Sequence, residues 1–169
     1  MAGGGCRPPS ADGRRGQAGV DTCLDNGRFA GARFQYLAAN VIDARTGNTL
    51  LPATWVKRFG PVSIGFIGLT LRQTASVVSP AGVAGLRFAD EADTINALVP
   101  QLQAQQVSTI VVLIHQGGTT RARFVDDRDC PGLAGDILDI ADRLDPAVRL
   151  IVSGHTHREY VCRRNGRLL

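Results

Sequence analysis

Thr109-Ile110-Val111-Val112-Leu113-Ile114-His115-Gln116-Gly117-Gly118 decides the fold: six residues of strand-forming type, then a histidine and two glycines. An apolar run this short and this continuous is the mark of a strand buried on both faces. Val148-Arg149-Leu150-Ile151-Val152 repeats the pattern and ends in Ser153-Gly154-His155-Thr156-His157. Between the two runs, Leu133, Ile137, Ile140, Ala141 and Leu144 recur at helical spacing, which predicts a helix over 133–144 closed by Asp145-Pro146. Strand, helix, strand is the unit of a sheet covered by helices on at least one face.

Working towards the amino terminus, Asp90 is a natural N-cap with Asp93 three residues on, and Ala92, Ile95, Leu98, Val99 and Leu102 form the stripe of a helix reaching about Gln105. Pro100 inside that stripe is expected to kink the helix or end its first part. Thr54 to Phe59 and Val62 to Leu69 read as a hairpin across Gly60-Pro61, its second strand buried. Phe34 to Ile42 reads as a further strand, followed by a turn over Asp43 to Asn48. Towards the carboxyl terminus, Asn165-Gly166 predicts a short hairpin joining Glu159–Cys162 to Arg167–Leu169. Residues 1–28, rich in Gly, Pro and Arg with Val20 and Leu24 their only sizeable aliphatics, read as a poorly structured arm; residues 29–169 read as one α/β domain.

Composition narrows the classes. At 169 residues and 44% hydrophobic the chain can bury a core. No apolar run approaches the roughly 20 residues of a membrane-spanning helix. The net charge of +4 resides at the ends: residues 34–157 hold ten Lys and Arg against eleven Asp and Glu. Without stacking aromatics or a readable motif beside the basic residues, nucleic acid is not the expected partner. The opening Met1-Ala2-Gly3-Gly4-Gly5-Cys6 lacks the apolar stretch of a secretory signal.

The three histidines of the chain, His115, His155 and His157, all fall at carboxyl ends of predicted buried strands. Ligands of such sheets gather there. One strand-end histidine is an ordinary surface residue; three in two glycine-bearing turns, with none elsewhere, point to a divalent metal. Imidazole suits zinc, manganese, iron or nickel, so the donors alone do not name it.

From these motifs the chain resembles the calcineurin-like metallophosphoesterase domain of the 5'-nucleotidase and 2',3'-cyclic-nucleotide phosphodiesterase family. The resemblance is carried by Leu37-Ala38-Ala39-Asn40-Val41, by Val62 to Thr70, by Val111 to Gly118 and by Ile151 to His157, in the family's order and spacing over residues 29–169. It implies an α/β sandwich, here incomplete, with a mixed sheet and helices packed on it. It also implies a two-metal site for nucleotide phosphate esters, with His115 and His155 ligands of one ion and His157 of its neighbour. The family's Asp-x-His pair, bridging Asp and Asn-His dyad have no counterpart: no Asn precedes a His here and no Asp stands two residues before one. The family's carboxy-terminal nucleoside-binding domain has no counterpart either. No catalytic residue is therefore assigned.

The chain reads as the second part of a split or truncated phosphoesterase, inactive alone, whose amino-terminal half could be separately encoded and whose nucleotide substrate belongs to the complete enzyme. The other reading is a non-catalytic metal-binding remnant or module. The complete family proteins are exported or periplasmic, and the cysteines suit that ancestry. Cys6, Cys23, Cys130 and Cys162 allow three pairings, of which Cys6 with Cys23 and Cys130 with Cys162 is favoured. Four free thiols in a cytosolic fragment is the alternative.

Overall fold

Six strands lie side by side in the order β2-β3-β5-β6-β8-β7 in the computed structural model, which describes residue 32 and residues 34–169. The elements are β1 (Val41–Asp43), β2 (Thr54–Phe59), β3 (Val62–Leu69), α1 (Thr74–Val77), α2 (Pro80–Val83), β4 (Leu86–Phe88), α3 (Glu91–Ala104), β5 (Thr109–Ile114), α4 (Asp136–Arg143), β6 (Val148–Val152), β7 (Arg163–Arg164) and β8 (Arg167–Leu168). The chain divides into two compact units, Met1–Tyr36 and Leu37–Leu169. In the first, the rings of Phe34 and Tyr36 meet edge to face at 5.0 Å. All numbered elements belong to the second.

The sheet is mixed, as expected. β2 and β3 form the antiparallel hairpin, while β3, β5, β6 and β8 run parallel. Register levels the three central strand ends: Leu69 lies beside Ile114, and Leu113 beside Val152. His115 and Ser153 thus leave the sheet at one edge.

One face of the sheet is closed by α3 and α4. Gly65 exists there because Leu102 fills the space: a Cβ at Gly65 would stand 3.2 Å from either methyl of that leucine. Ile67, Ile95, Leu102, Val112, Ile137 and Val148 have no exposed surface. Asp90 caps α3 by accepting from the Asp93 amide at 3.0 Å and pairs with Arg143 at 2.7 Å and Arg72 at 3.0 Å. The Arg143 hydrogen bond holds the Asp90 carboxyl below the usual carboxylate range. Arg167, buried behind α4, donates to the carbonyls of Ala141 and Leu144, cations being favoured at a helix carboxyl end.

Four expectations are corrected. Residues 34–42 are not a strand. The Ala38 and Ala39 amides donate to Pro52 and Gly68, and only Val41–Asp43 enters a ladder, with Leu86–Phe88. The second helix begins at Asp136 rather than 133, because Ala134 exchanges both backbone bonds with Thr119 and Gly135, at φ 115°, redirects the chain. The carboxy-terminal hairpin is tighter than expected, with Arg163–Arg164 and Arg167–Leu168 around Asn165 and Gly166, both at positive φ. Glu159–Val161 stays outside it, and the Val161 amide donates to Val125. Finally, Pro100 does not end the first part of the helix: α3 continues past it to Ala104, with the proline on its exposed side.

Cys130 and Cys162 form a disulfide with Cα atoms 5.5 Å apart. Cys6 and Cys23, and the arm over residues 1–28, lie outside the described residues. Among the described residues no helix is long and apolar enough to cross a membrane.

Candidate metal centre

Two turns build the site. β5 releases the chain at His115, whose amide still donates to Leu69 at 3.0 Å. Gln116 then turns inward and is 4% exposed; its side-chain oxygen accepts from the Gly117 amide at 3.1 Å, and its amide group reaches Asp136 at 3.4 Å. β6 releases the chain at Ser153, and the Gly154 amide donates to the Gln116 carbonyl at 3.1 Å. The turns therefore touch through backbone. Gly117 has to be glycine: a Cβ there would overlap the Gly154 carbonyl oxygen and stand 2.7 Å from Thr156 Oγ1.

This contact brings His115 and His155 together. His155 Nδ1 lies 3.4 Å from His115 Nε2, the rings edge to face with centroids 5.2 Å apart. The two nitrogens are within hydrogen-bond reach, and two nitrogens bound to one tetrahedral ion at about 2.0–2.1 Å would stand a similar distance, about 3.3–3.4 Å, apart. Both side chains are exposed. His157 lines a separate groove of about 570 Å³ with Thr119, Thr120, Ala122, Arg158 and Glu159. Among the described residues no group of three His, Cys, Asp or Glu is placed to hold a metal.

His155 and His157 both lie in the left-handed region, at φ 69° and 52°. Such a conformation costs a non-glycine residue about 1–3 kcal/mol and persists only where its surroundings enforce it. Here the restraints come from the neighbouring turn and from the loop beyond it. Thr156 Oγ1 donates to the Gly118 carbonyl at 2.8 Å. Five residues beyond His157, Cys162 is bonded to Cys130 in the loop that follows β5. The sequence marks the histidines and glycines; it gives no sign of the Thr156 and Gln116 bonds, which depend on turns far apart in the chain.

No family model matches the chain. Over 141 residues it is 27% identical to the endonuclease YhcR of Bacillus subtilis, a match spanning 83% of this chain and 11% of that protein. It is 33% identical over 129 residues to the cell wall protein Lmo0130 of Listeria monocytogenes, covering 72% of this chain and 16% of the relative. To a 5'-nucleotidase of Vibrio vulnificus it is 26% identical over 132 residues, 78% of this chain and 23% of the other. Among solved structures, the 5'-nucleotidase precursor of Thermus thermophilus superposes with TM-score 0.56 at 29% identity, covering 84% of this chain and 24% of that one. The calcineurin-like phosphoesterase YfkN of B. subtilis gives 0.60 at 22% identity, over 79% and 40%. The chain thus spans less than a quarter of each of these curated relatives. It matches part of a 5'-nucleotidase-family domain and has the α/β fold of calcineurin-like phosphoesterases.

Proposed function

We propose that this chain is the histidine-bearing part of a metal-dependent phosphoesterase domain that hydrolyses nucleotide phosphate esters once further chain completes it. The observation that carries this reading is the His115–His155 pair, two accessible imidazole nitrogens 3.4 Å apart at the carboxyl ends of adjacent parallel strands. His115 and His155 would hold one divalent ion, zinc or manganese or one like them, and His157 would serve a neighbouring position. An ion bound there would polarise a phosphoryl oxygen and acidify a bound water. The chain's own part is to present neutral imidazoles in a fixed direction and to leave their outer side open to substrate.

It lacks the rest. Two closely spaced ions need a bridging carboxylate to offset their repulsion, and the leaving oxygen needs a proton donor. No third ligand stands beside the pair among the described residues. The exposure of Phe59, Val62, Leu113 and Val152 on one face of the sheet supports completion by another segment, whether on the same polypeptide or separately encoded. The buried Cys130–Cys162 disulfide suits an oxidising compartment, hence export.

The test is a metal titration paired with an assay. Residues 1–169 should bind one cobalt or zinc ion weakly, lose it on His155→Ala, and hydrolyse no nucleoside monophosphate above a metal-only control. Adding the amino-terminal segment of a 5'-nucleotidase, with its Asp-x-His and Asn-His motifs, should tighten binding. Turnover by residues 1–169 alone, abolished by His155→Ala, would overturn the incompleteness. Absence of any metal binding would overturn the reading itself. Binding that never yields turnover in any complemented form would favour the non-catalytic module.

A further inference from the structure

Thr156 stands between the two left-handed histidines, and its side chain leaves its own turn altogether. Its hydroxyl donates to the Gly118 carbonyl at 2.8 Å, a partly buried bond between residues 38 apart in the chain. Its amide donates to the Gly154 carbonyl at 2.8 Å, so both polar ends of the residue are engaged at the junction of the turns. Gly117 passes through that junction with no room for a Cβ, pressed between the Gly154 carbonyl and Thr156 Oγ1. The hydroxyl is thus the one side-chain bond between the turn bearing His155 and the turn bearing His115 that does not involve the histidines themselves.

We propose that Thr156 is the positioning residue of the histidine pair: its bond to Gly118 sets the separation and angle of the His115 and His155 rings, and through them the affinity for a divalent cation. The cation clause rests on the proposed function; the positioning clause does not. Without the hydroxyl, the 155–157 turn keeps the Gly154 backbone bond, the His115–His155 contact and the more distant Cys130–Cys162 disulfide, but loses its one side-chain bond to the 117–118 turn, the restraint nearest His155. Serine supplies the same donor from the same backbone position. Valine keeps the shape and removes the donor.

The experiment uses the full chain with Thr156→Val and Thr156→Ser, and Val99→Ala as a variant destabilised in the core far from either turn. Cobalt(II) binding is followed by visible absorption, and the imidazole 15N shifts of His115 and His155 are recorded without metal. Thr156→Val should weaken cobalt binding about tenfold, the size of one lost hydrogen bond, while Thr156→Ser stays within about twofold. Val99→Ala should lower the urea midpoint and leave cobalt binding unchanged. Metal-free, Thr156→Val should move the ring shifts of both histidines and Thr156→Ser should restore them. Equal cobalt binding in wild type and Thr156→Val, with unchanged ring shifts, would overturn the proposal. If wild type binds no cobalt, the metal reading fails, and the metal-free ring shifts still decide the positioning. Should Thr156→Val not fold, Thr156→Ala, which requires no space, carries the same comparison.

Discussion

The two faces of the central sheet are built from the same kinds of residue and meet different fates. On one, Ile67, Val112, Ile114, Val148 and Ile151 lie under α3 and α4 with at most 5% of their surface exposed. On the other, Trp55 is opposite Phe66 and Phe59 opposite Val62 across the hairpin, and Leu113 is beside Val152 across the parallel pair. Of these, Phe59 is 51% exposed, Val62 43%, Leu113 39% and Val152 50%. No helix of the unit crosses this second face. Trp55 and Phe59 share only the Lys57 ammonium, 5.5 and 5.2 Å from their ring centroids. The same face is covered in part by this chain: Val111 is only 7% exposed, and Leu37 leaves no room for a Cβ at Gly68. The difference separates a face that this chain covers with its own helices from one that the described residues cover only in part. The histidine pair sits at the edge where the two faces meet.

The largest test of the comparison is on the covered side. Leu102 is fully buried and fills the space above Gly65. Leu102→Ala should cost about 2–5 kcal/mol in urea unfolding. A cost under about 1 kcal/mol would mean that α3 is not packed on the sheet as described. The next effect concerns the same core, because Cys130 and Cys162 belong to its cluster. Their bond closes a loop with a sequence separation of 32, for which the chain-entropy model gives about 3–4 kcal/mol. Wild type under reductant should show a fall of that order in equilibrium unfolding, and the Cys130→Ser, Cys162→Ser double variant a larger one, because it also buries two hydroxyls. If reductant leaves the unfolding midpoint unchanged, the bond either does not form or contributes nothing.

How far the sequence carries depends on how local each feature is. The runs at 62–69, 109–114 and 148–152 were legible from their apolar character and 54–59 from its place across Gly60-Pro61, though Val62, Leu113 and Val152 prove exposed on one face, and α3 was legible because its stripe and cap are contiguous. Of the three pairings open to four cysteines, the favoured one joined Cys130 to Cys162, the bond the structure contains. The β1–β4 pairing was not legible: Leu86–Phe88 has three residues and is defined only by the strand it meets. The start of α4 was misread because Leu133 fits the helical spacing while Ala134 is claimed by Thr119 across the loop. In the site, the residue types were readable and their distance was not. That His155 approaches His115, and that Thr156 reaches Gly118, follows from parallel pairing and from two turns meeting, neither of which any single stretch encodes.

The smallest predicted effect is the sharpest test, because it sets one substitution on both faces. Valine to threonine preserves shape and β-branching and adds one hydroxyl, so any cost reports on the surroundings of that hydroxyl. At Val112, with 0% exposure, the hydroxyl enters a face with no free acceptor beyond the ladder and should cost about 1–3 kcal/mol. At Val152, 50% exposed and one register position on in the next strand, water receives the hydroxyl and the cost should stay within about 0.5 kcal/mol. Urea titrations at two protein concentrations measure both. A Val152→Thr cost equal to that of Val112→Thr and growing with concentration would mean that the open face is already covered, by a second copy of this chain, and the contrast between the faces would then belong to the monomer alone. A concentration-independent penalty would place a segment of this same chain over Val152. The expected result, a penalty at Val112 and almost none at Val152, leaves the face free for the additional polypeptide on which the proposed phosphoesterase depends.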